Sequence, residues 1–600
     1  MSNIFNTTLG YKPKKSAFNL SHEWKSTGKF GNLMPCLCRE VLPSDKWKFS
    51  TESFTRFAPM LAPVMHRINT FQHYFFVPNR IIMPNWEDFI SPNGVDEQNR
   101  PIMPSLVFDW DGDKEREYVN QLLEKYFGVG SLADFLGVNV QHLRTPSGWN
   151  LDLPSSLVKF QLLPFLAYQH IWLEFYADEN VYDIRAIKKR LLEYAKLGEI
   201  SLQEMIERYP NDALFVNTFF FDVFGMRHRA FEKDYFTSAL PNTQRGAEVA
   251  IGAYGSFDMS GTSVSIDPAS VELTRLQSTN GQPIQGQATL RSSSSGNDLT
   301  ATKDNYSLTY PQDDPVITQS VASTQYVKLT GQTGATSGTL EEGSEIPINP
   351  VTINELRRAV KLQEFLEKSM RGGYRLIEQI KAHFGVISSD ARLDRPQFLG
   401  GDMQKVMISE VTSSAGTDDA TLGEYSGHGT EIGNSKRRKF FSEEHGFIFC
   451  LFSCTPRTAY SQGLEKQLTR FDWLDYAWPE FAHLGEQEVK NKELYVGATL
   501  WQDSNLNEKV FGYQSRYAEY KTIPSQIHGD FKGNLNYWTL TRQFDETPRL
   551  SRDFIEVRPE DDSLNRIFTV DQPESDYLFI NLYHRITCSR PLPKFGVPML

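Results

Sequence analysis

Cysteine is scarce in this chain of 600 residues: there are five, an odd number and widely scattered. That scarcity excludes the dense disulfide framework of a small secreted domain and fits a chain that folds in a reducing cytosol. Long apolar runs are missing as well. None approaches the roughly 18 residues that mark a membrane-spanning helix, and the start, MSNIFNTTLGYKPKKS, lacks the apolar centre of a secretory signal, so no membrane insertion is expected. Net positive charge is absent too: 62 Lys and Arg against 74 Asp and Glu leave −12, which argues against a protein that coats nucleic acid over its whole surface. There is no G-x-S-x-G elbow, no Walker A loop and no strand-following G-x-G-x-x-G.

What is present is globular: 40% apolar and 23% charged residues, with 41 Phe and 25 Tyr. Aromatic residues on this scale suit strands and interfaces. The charge is uneven. Residues 1–60 hold nine Lys or Arg against four acids, a basic end on an acidic molecule that suggests one polyanion-facing region.

Strand-like runs fall in two distant places. The early ones are Lys46–Phe54 and Asn69–Val77; the late ones are Gly446–Cys454, Tyr495–Trp501 and Asp576–Cys588. In the last, Leu578, Ile580, Leu582, Ile586 and Cys588 alternate with Tyr577, Phe579, Asn581, Tyr583 and Arg585, which predicts one dry side and one contact side. Helical patterns lie mostly between the two sets. One follows Asp113, with Val119, Leu122, Leu123 and Tyr126 on one side and Gly128 as its stop. Two shorter helices are expected within 184–208, the second opened by Ser201 and Glu204. The clearest runs from Thr352, places Leu356, Val360 and Leu366 on one face and ends at Gly372-Gly373.

Between Ile251 and Leu340 the character changes: Ser, Thr, Gly, Asn and Gln supply 47 of 90 residues. Such a stretch reads as an insertion or irregular surface domain, too long for an ordinary loop. Within it TSVSI and TQYVKL look like short strands, and RSSSSGND like a loop tip. Pairing early strands with late ones across insertions gives a mainly β, antiparallel, sandwich-type architecture.

The constellations that resemble sites each lack a part. His22-Glu23 opens like a zinc-protease motif, but Ser26 stands where the second histidine belongs. Asp109, Asp111 and Asp113 alternate as in a calcium loop, yet Lys114 and Asn120 occupy the positions that need Gly and Glu. Cys450 and Cys454 share a strand face without further ligands and read, like Cys36 and Cys38, as buried small residues. The histidines at 66, 73, 170, 383 and 483 sit among apolar neighbours with no matched nucleophile or acid, and read as satisfied core or interface groups. No catalytic, metal or cofactor residue is assigned, and no enzyme activity is expected. One basic cluster stands out, Lys436, Arg437, Arg438 and Lys439, a solvated run or a set of phosphate contacts.

Several stretches carry a resemblance. FNLSHEWK (Phe18–Lys25), RFAPMLAPVMHRINTFQHYFFVPNRIIMPNWEDFI (Arg56–Ile90), FEKDYFTSALPNTQRG (Phe231–Gly246), Leu356–Gly401, Tyr476–Tyr495, Val510–Phe531 and the tail CSRPLPKFGVPML are similar to the major capsid protein of microviruses, most closely of the gokushovirus-type branch. The blocks span most of the chain in family order; the chain departs from the pattern near 181–212 and after Gly246. The resemblance implies an eight-stranded viral jelly roll with long loop and helical insertions, roughly sixty copies of which form a T=1 icosahedral shell around circular single-stranded DNA. It also implies an internal scaffolding protein, a small basic DNA-binding protein, a pilot protein and a host cell-surface receptor as partners, with the virion and the host bacterial cytoplasm as locations.

On that footing residues 1–600 form a single capsid domain with core strands from about 30–90 and 440–590 and a helical insertion at 91–212. A polar insertion at 247–350 projects at the threefold axes, and an extended arm spans 590–600. Lys14, Lys15 and Lys436–Lys439 are expected to face DNA. Pro591, Pro593, Phe595, Pro598 and Leu600 are expected to form an inter-subunit arm. A β-sandwich carbohydrate-active enzyme, which would require a carboxylate pair in a cleft, and a host-surface adhesin are the alternatives.

Overall fold

The computed structural model describes residues 14–91, 101–108, 116–138, 144–145, 148–149, 158–208, 213–245, six short strands between 264 and 328, and residues 353–373, 375–412, 414, 423, 425–497, 506–570 and 575–595. These residues fall into two compact units, one made of 1–245 with 366–600, the other of 246–365.

The first unit is organised by two antiparallel sheets. In the larger, the strand Leu578–Arg590 pairs on one side with Ser16–Asn19 and His22–Gly28 and on the other with Lys46–Phe57; Tyr425–Asn434 and Met407–Thr412 follow, and Arg438–Phe441 continues beside Lys46–Phe57. The smaller runs Gln397–Lys405, Ile68–Pro78, Gly446–Pro456, Met34–Val41. Between them lies one core, to which the large sheet gives Trp47, Phe49, Phe57, Leu578, Ile580, Leu582, Ile586 and Cys588, and the small sheet Met34, Cys36, Tyr74, Phe76, Ile448, Cys450, Phe452 and Cys454.

The two sheets differ in what covers their second face, and the sequence shows why. Lys46–Phe57 and Leu578–Arg590 alternate buried and open residues, as a sheet with one solvated face must. Gly446–Pro456, largely apolar, and Ile68–Pro78, apolar over its second half, are buried on both sides. Phe75, Val77, Phe447, Phe449 and Leu451 point away from the other sheet into a second core built with helices, notably Leu163–Phe175 and Ala213–Phe224. Phe75 packs on Phe175 at 4.9 Å. The aromatic density of residues 68–78 thus feeds two cores at once.

Expected elements recur with small shifts. The helix Arg116–Phe127 buries Val119, Leu122, Leu123 and Tyr126; its proposed start at Asp113 lies outside the described residues. Ile184–Tyr194 and Leu202–Arg208 are the two short helices, and Glu204 N–H donates to Ser201 Oγ at 3.1 Å. The helix Ile353–Gly372 ends at Gly373, where φ is +98°. Tyr495–Gly497, however, is not strand, because Tyr495 closes the short helix Asn491–Leu494 by donating its N–H to Asn491 O at 2.9 Å; residues 498–501 lie outside the described residues. A further small core, including Tyr235, Phe236, Tyr460, Val489, Phe511 and Phe554, holds the long loops between 460 and 555.

In the second unit, Val264–Ile266, Ile317–Gln319, Ala288–Ser292 and Asp298–Ala301 form one antiparallel sheet, and Arg275–Gln277 pairs with Tyr326–Lys328. Strands therefore occur in both TSVSI and TQYVKL. The tip residues 293–297 lie outside the described residues.

Candidate assembly and nucleic-acid surfaces

Most of the histidines and cysteines that could have done chemistry are buried or hydrogen-bonded within the fold, while Asp109, Asp111 and Asp113 lie outside the described residues. His22 stands on a strand rather than a helix, its ring 5.2 Å from that of His584. His584 is buried; its Nδ1 bonds Thr51 Oγ1 at 2.8 Å and its Nε2 bonds Cys36 O at 3.1 Å. Burial, reinforced by His22, lowers its pKa to about 4. His73 bonds Tyr176 OH at 2.7 Å and burial lowers its pKa to about 3. His66 bonds Arg457 O, and His383 bonds Ser369 Oγ at 3.0 Å. His170 is buried and its Nε2 has no hydrogen-bond partner among the described residues, so it departs there from the expectation of a satisfied group; the helix Leu163–Phe175 is enclosed largely by apolar neighbours. His483 is exposed. Cys36, Cys450, Cys454 and Cys588 are buried in the inter-sheet core, while Cys38 is half-buried against the helical side. Burial pushes the Cys38 thiol up to about 12.

The basic cluster divides. Lys436, Arg437 and Lys439 are exposed. Arg438 turns inward, pairing with Asp402 at 2.5 Å, donating to Gly401 O at 3.0 Å and lying 5.0 Å over the Tyr74 ring. Room for that guanidinium comes from Gly400 at φ +114°, where a Cβ would stand 2.6 Å from Arg438 Nε. Lys439 faces Lys48 across the strand pair Arg438–Phe441 and Lys46–Phe57, and Phe441 faces Lys46. Lys15 donates to Ser44 O at 2.6 Å and lies 5.6 Å over the Phe441 ring; Lys14 is exposed. The fold therefore gathers Lys15, Lys46, Lys48 and Lys439, distant in sequence, along one rim of the large sheet. Lys46 and Lys48 were not singled out from the sequence; their alternation with buried Trp47 and Phe49 was the available signal.

The open face of the large sheet carries Arg56, Phe54, Phe579, Asn581, Tyr583 and Arg585, with Arg585 paired to Glu52 at 2.6 Å. The C-terminal strand is fixed at its end. Asp45, fully buried, accepts from Leu42 N–H at 3.1 Å, Trp47 Nε1 at 3.2 Å and Arg590 Nε at 3.0 Å, and Arg590 also donates to Glu40 O at 2.7 Å. Beyond this clamp Pro591 is half-buried, Pro593 is exposed and Phe595 is 78% exposed. Pro598 and Leu600 lie outside the described residues.

Comparison with known proteins places this arrangement. The model of the capsid protein (F protein) family of phages matches residues 9–122 and 148–600. The chain is 31% identical to capsid protein VP1 of Chlamydia phage 1, over all of this chain and 98% of the relative. It is 29% identical to capsid protein VP1 of Bdellovibrio phage phiMH2K, over 97% and 95%, and 24% identical to that of Spiroplasma virus 4, over 99% and 97%.

Proposed function

Because the chain belongs to the phage capsid protein (F protein) family, as a structural, non-enzymatic capsid protein of the gokushovirus type, we propose that it closes into a T=1 shell of roughly sixty copies through its C-terminal arm. Capsid proteins assemble as multimers in the virion. The finer reading is an eight-stranded jelly roll carrying the helical insertion 91–212 and a threefold projection formed by 247–350. The shell encloses circular single-stranded DNA, and assembly takes place in the host bacterial cytoplasm with scaffolding, small basic DNA-binding and pilot proteins. A host cell-surface receptor is met from outside.

One observation carries the assembly reading: a proline-locked arm leaves a buried ionic clamp at Arg590–Asp45 and presents Phe595 to solvent. A ring held out on a chain that cannot fold back as helix is a contact awaiting a partner surface. Deleting 591–600, which spares Arg590, should leave a folded, soluble subunit and abolish closed particles in electron micrographs. Normal particle yield from that truncation would refute the arm's role. Lys14, Lys15, Lys436, Arg437 and Lys439 supply the DNA-facing charge in this reading, while Arg438 holds the loop that presents them.

A further inference from the structure

Residues 471–480 are all exposed, and they include Phe471 at 88%, Trp473 at 61% and Tyr476 at 54%. Surface loops seldom carry such a run of rings. This one is also pre-shaped. Asp475 accepts from Phe471 N–H at 2.8 Å and Asp472 N–H at 2.9 Å; Trp478 Nε1 donates to Trp473 O at 2.9 Å, with the two indoles edge to face at 6.2 Å. Arg470 anchors its base, paired with Glu519 at 3.1 Å and lying 4.4 Å over the Tyr520 ring. Rings ordered in advance of contact are what a strong interface anchor requires, since less freedom is lost on binding.

Next to this knob, and sharing Arg470 with it, is a groove of about 320 Å3. Its lining includes Leu464, Tyr520, Ile523 and Pro524. Of its charged groups Lys466 pairs with Glu493 and Arg470 with Glu519, the half-buried Glu465 accepts from Gln526 Nε2, and His528 and Lys532 are exposed. The knob's rim is acidic, with Asp472, Asp475 and Glu480 exposed. One chain thus carries an acid-rimmed aromatic projection and, beside it, a partly apolar recess whose exposed cation, unpaired among the described residues, is Lys532. Two copies can satisfy both at once, each knob in the other's groove, which is the self-complementarity that symmetric assembly needs.

We propose that the knob Phe471–Trp478 of one copy docks in the Leu464–Ile523 groove of a second copy, an inter-subunit contact separate from the C-terminal arm. It rests on the self-assembly reading. The test expresses the full chain, wild type and variant, and measures particle yield by sedimentation, with circular dichroism of the subunit as a control for folding. Phe471→Ser with Trp473→Ser should keep the subunit folded and lower particle yield at least tenfold. Glu480→Lys and Lys532→Glu should each lower it, and the two together should restore it to within about twofold, because the charges then match again across the contact. Oxidative footprinting should show Trp473 protected in particles of this chain alone and reactive in subunits.

Wild-type yield from the aromatic double variant overturns the contact, as does a charge-swapped chain no better than the single reversals. Protection of Trp473 only in the presence of another viral protein or DNA assigns the surface to that partner instead. A wild-type chain that never leaves the subunit state overturns the self-assembly reading and this contact together, whereas variant particles beside wild-type ones overturn this contact alone.

Discussion

Four histidines, His73, His170, His228 and His584, are held neutral by burial, with pKa values lowered to about 3 for the first three and about 4 for His584. An unfolded histidine titrates near about 6.5. Between that value and the folded ones the unfolded chain binds more protons, so the stability these groups contribute is present above about pH 6.5 and is lost as the pH falls toward 4 and below. Each histidine contributes a slope of up to about 1.4 kcal/mol per pH unit within its window. Glu431 acts in the opposite direction, since burial raises its pKa, but among the described residues it stands against these four histidines and His66, whose pKa burial also lowers. Chemical denaturation of the subunit from pH 7 to 4 should therefore show falling stability, and a flat profile would contradict the buried, neutral assignment. The cations make a second residue-scale case. Replacing Lys436, Arg437 and Lys439 by Gln, with Arg438 left in place on Asp402, should flatten the log–log salt dependence of single-stranded DNA binding by up to about 0.7 for each phosphate no longer neutralised. Sequence preference should not change. An unaltered slope would leave these three as solvated surface charges.

At the scale of elements, the strand Leu578–Arg590 gives a direct test of side. Ile580 is buried between the sheets and its neighbour Phe579 is 45% exposed on the open face. Ile580→Ala should cost the subunit about 2–5 kcal/mol, the range for truncating a buried aliphatic chain, while Phe579→Ser should stay within about 0.5 kcal/mol, as surface changes do. Urea unfolding of both separates a one-sided sheet from one covered on both faces. This alternation was legible in the sequence, as was the shared face of Cys450 and Cys454. The strands Gln397–Lys405, Met407–Thr412 and Tyr425–Asn434 were not. Met407–Thr412 has no glycine but is exposed over most of its length, without an alternating buried face. The first and third contain Gly400, Gly401, Gly427, Gly429 and Gly433, which dilute the β signal. Close approach explains at least two of them: a Cβ on Gly401 would come 2.3 Å from His73 Cδ2, and one on Gly427 equally near Ala62 O.

The whole molecule adds a question about the second unit, 246–365, whose short strands come from a stretch dominated by small and amide residues. If it forms the outward projection, replacing residues 285–300 by a short Gly/Ser linker should preserve particle assembly and reduce adsorption to the host. Intact subunits that fail to assemble would make the segment structural, and unchanged adsorption would remove its receptor role. What the sequence by itself determined was what depends on local pattern or shared ancestry: alternating strands, capped helices, the change of character after residue 250, and the likeness to microvirus capsid proteins. Only the tertiary structure decided which rings are core and which are surface, since Phe75 and Phe471 are the same residue until the chain folds. It also decided that Arg438 serves Asp402 while Lys439 joins Lys48, and that Asp45 clamps Arg590. Such pairings join residues tens to hundreds of positions apart, where the preferences of a local stretch carry no record of the partner.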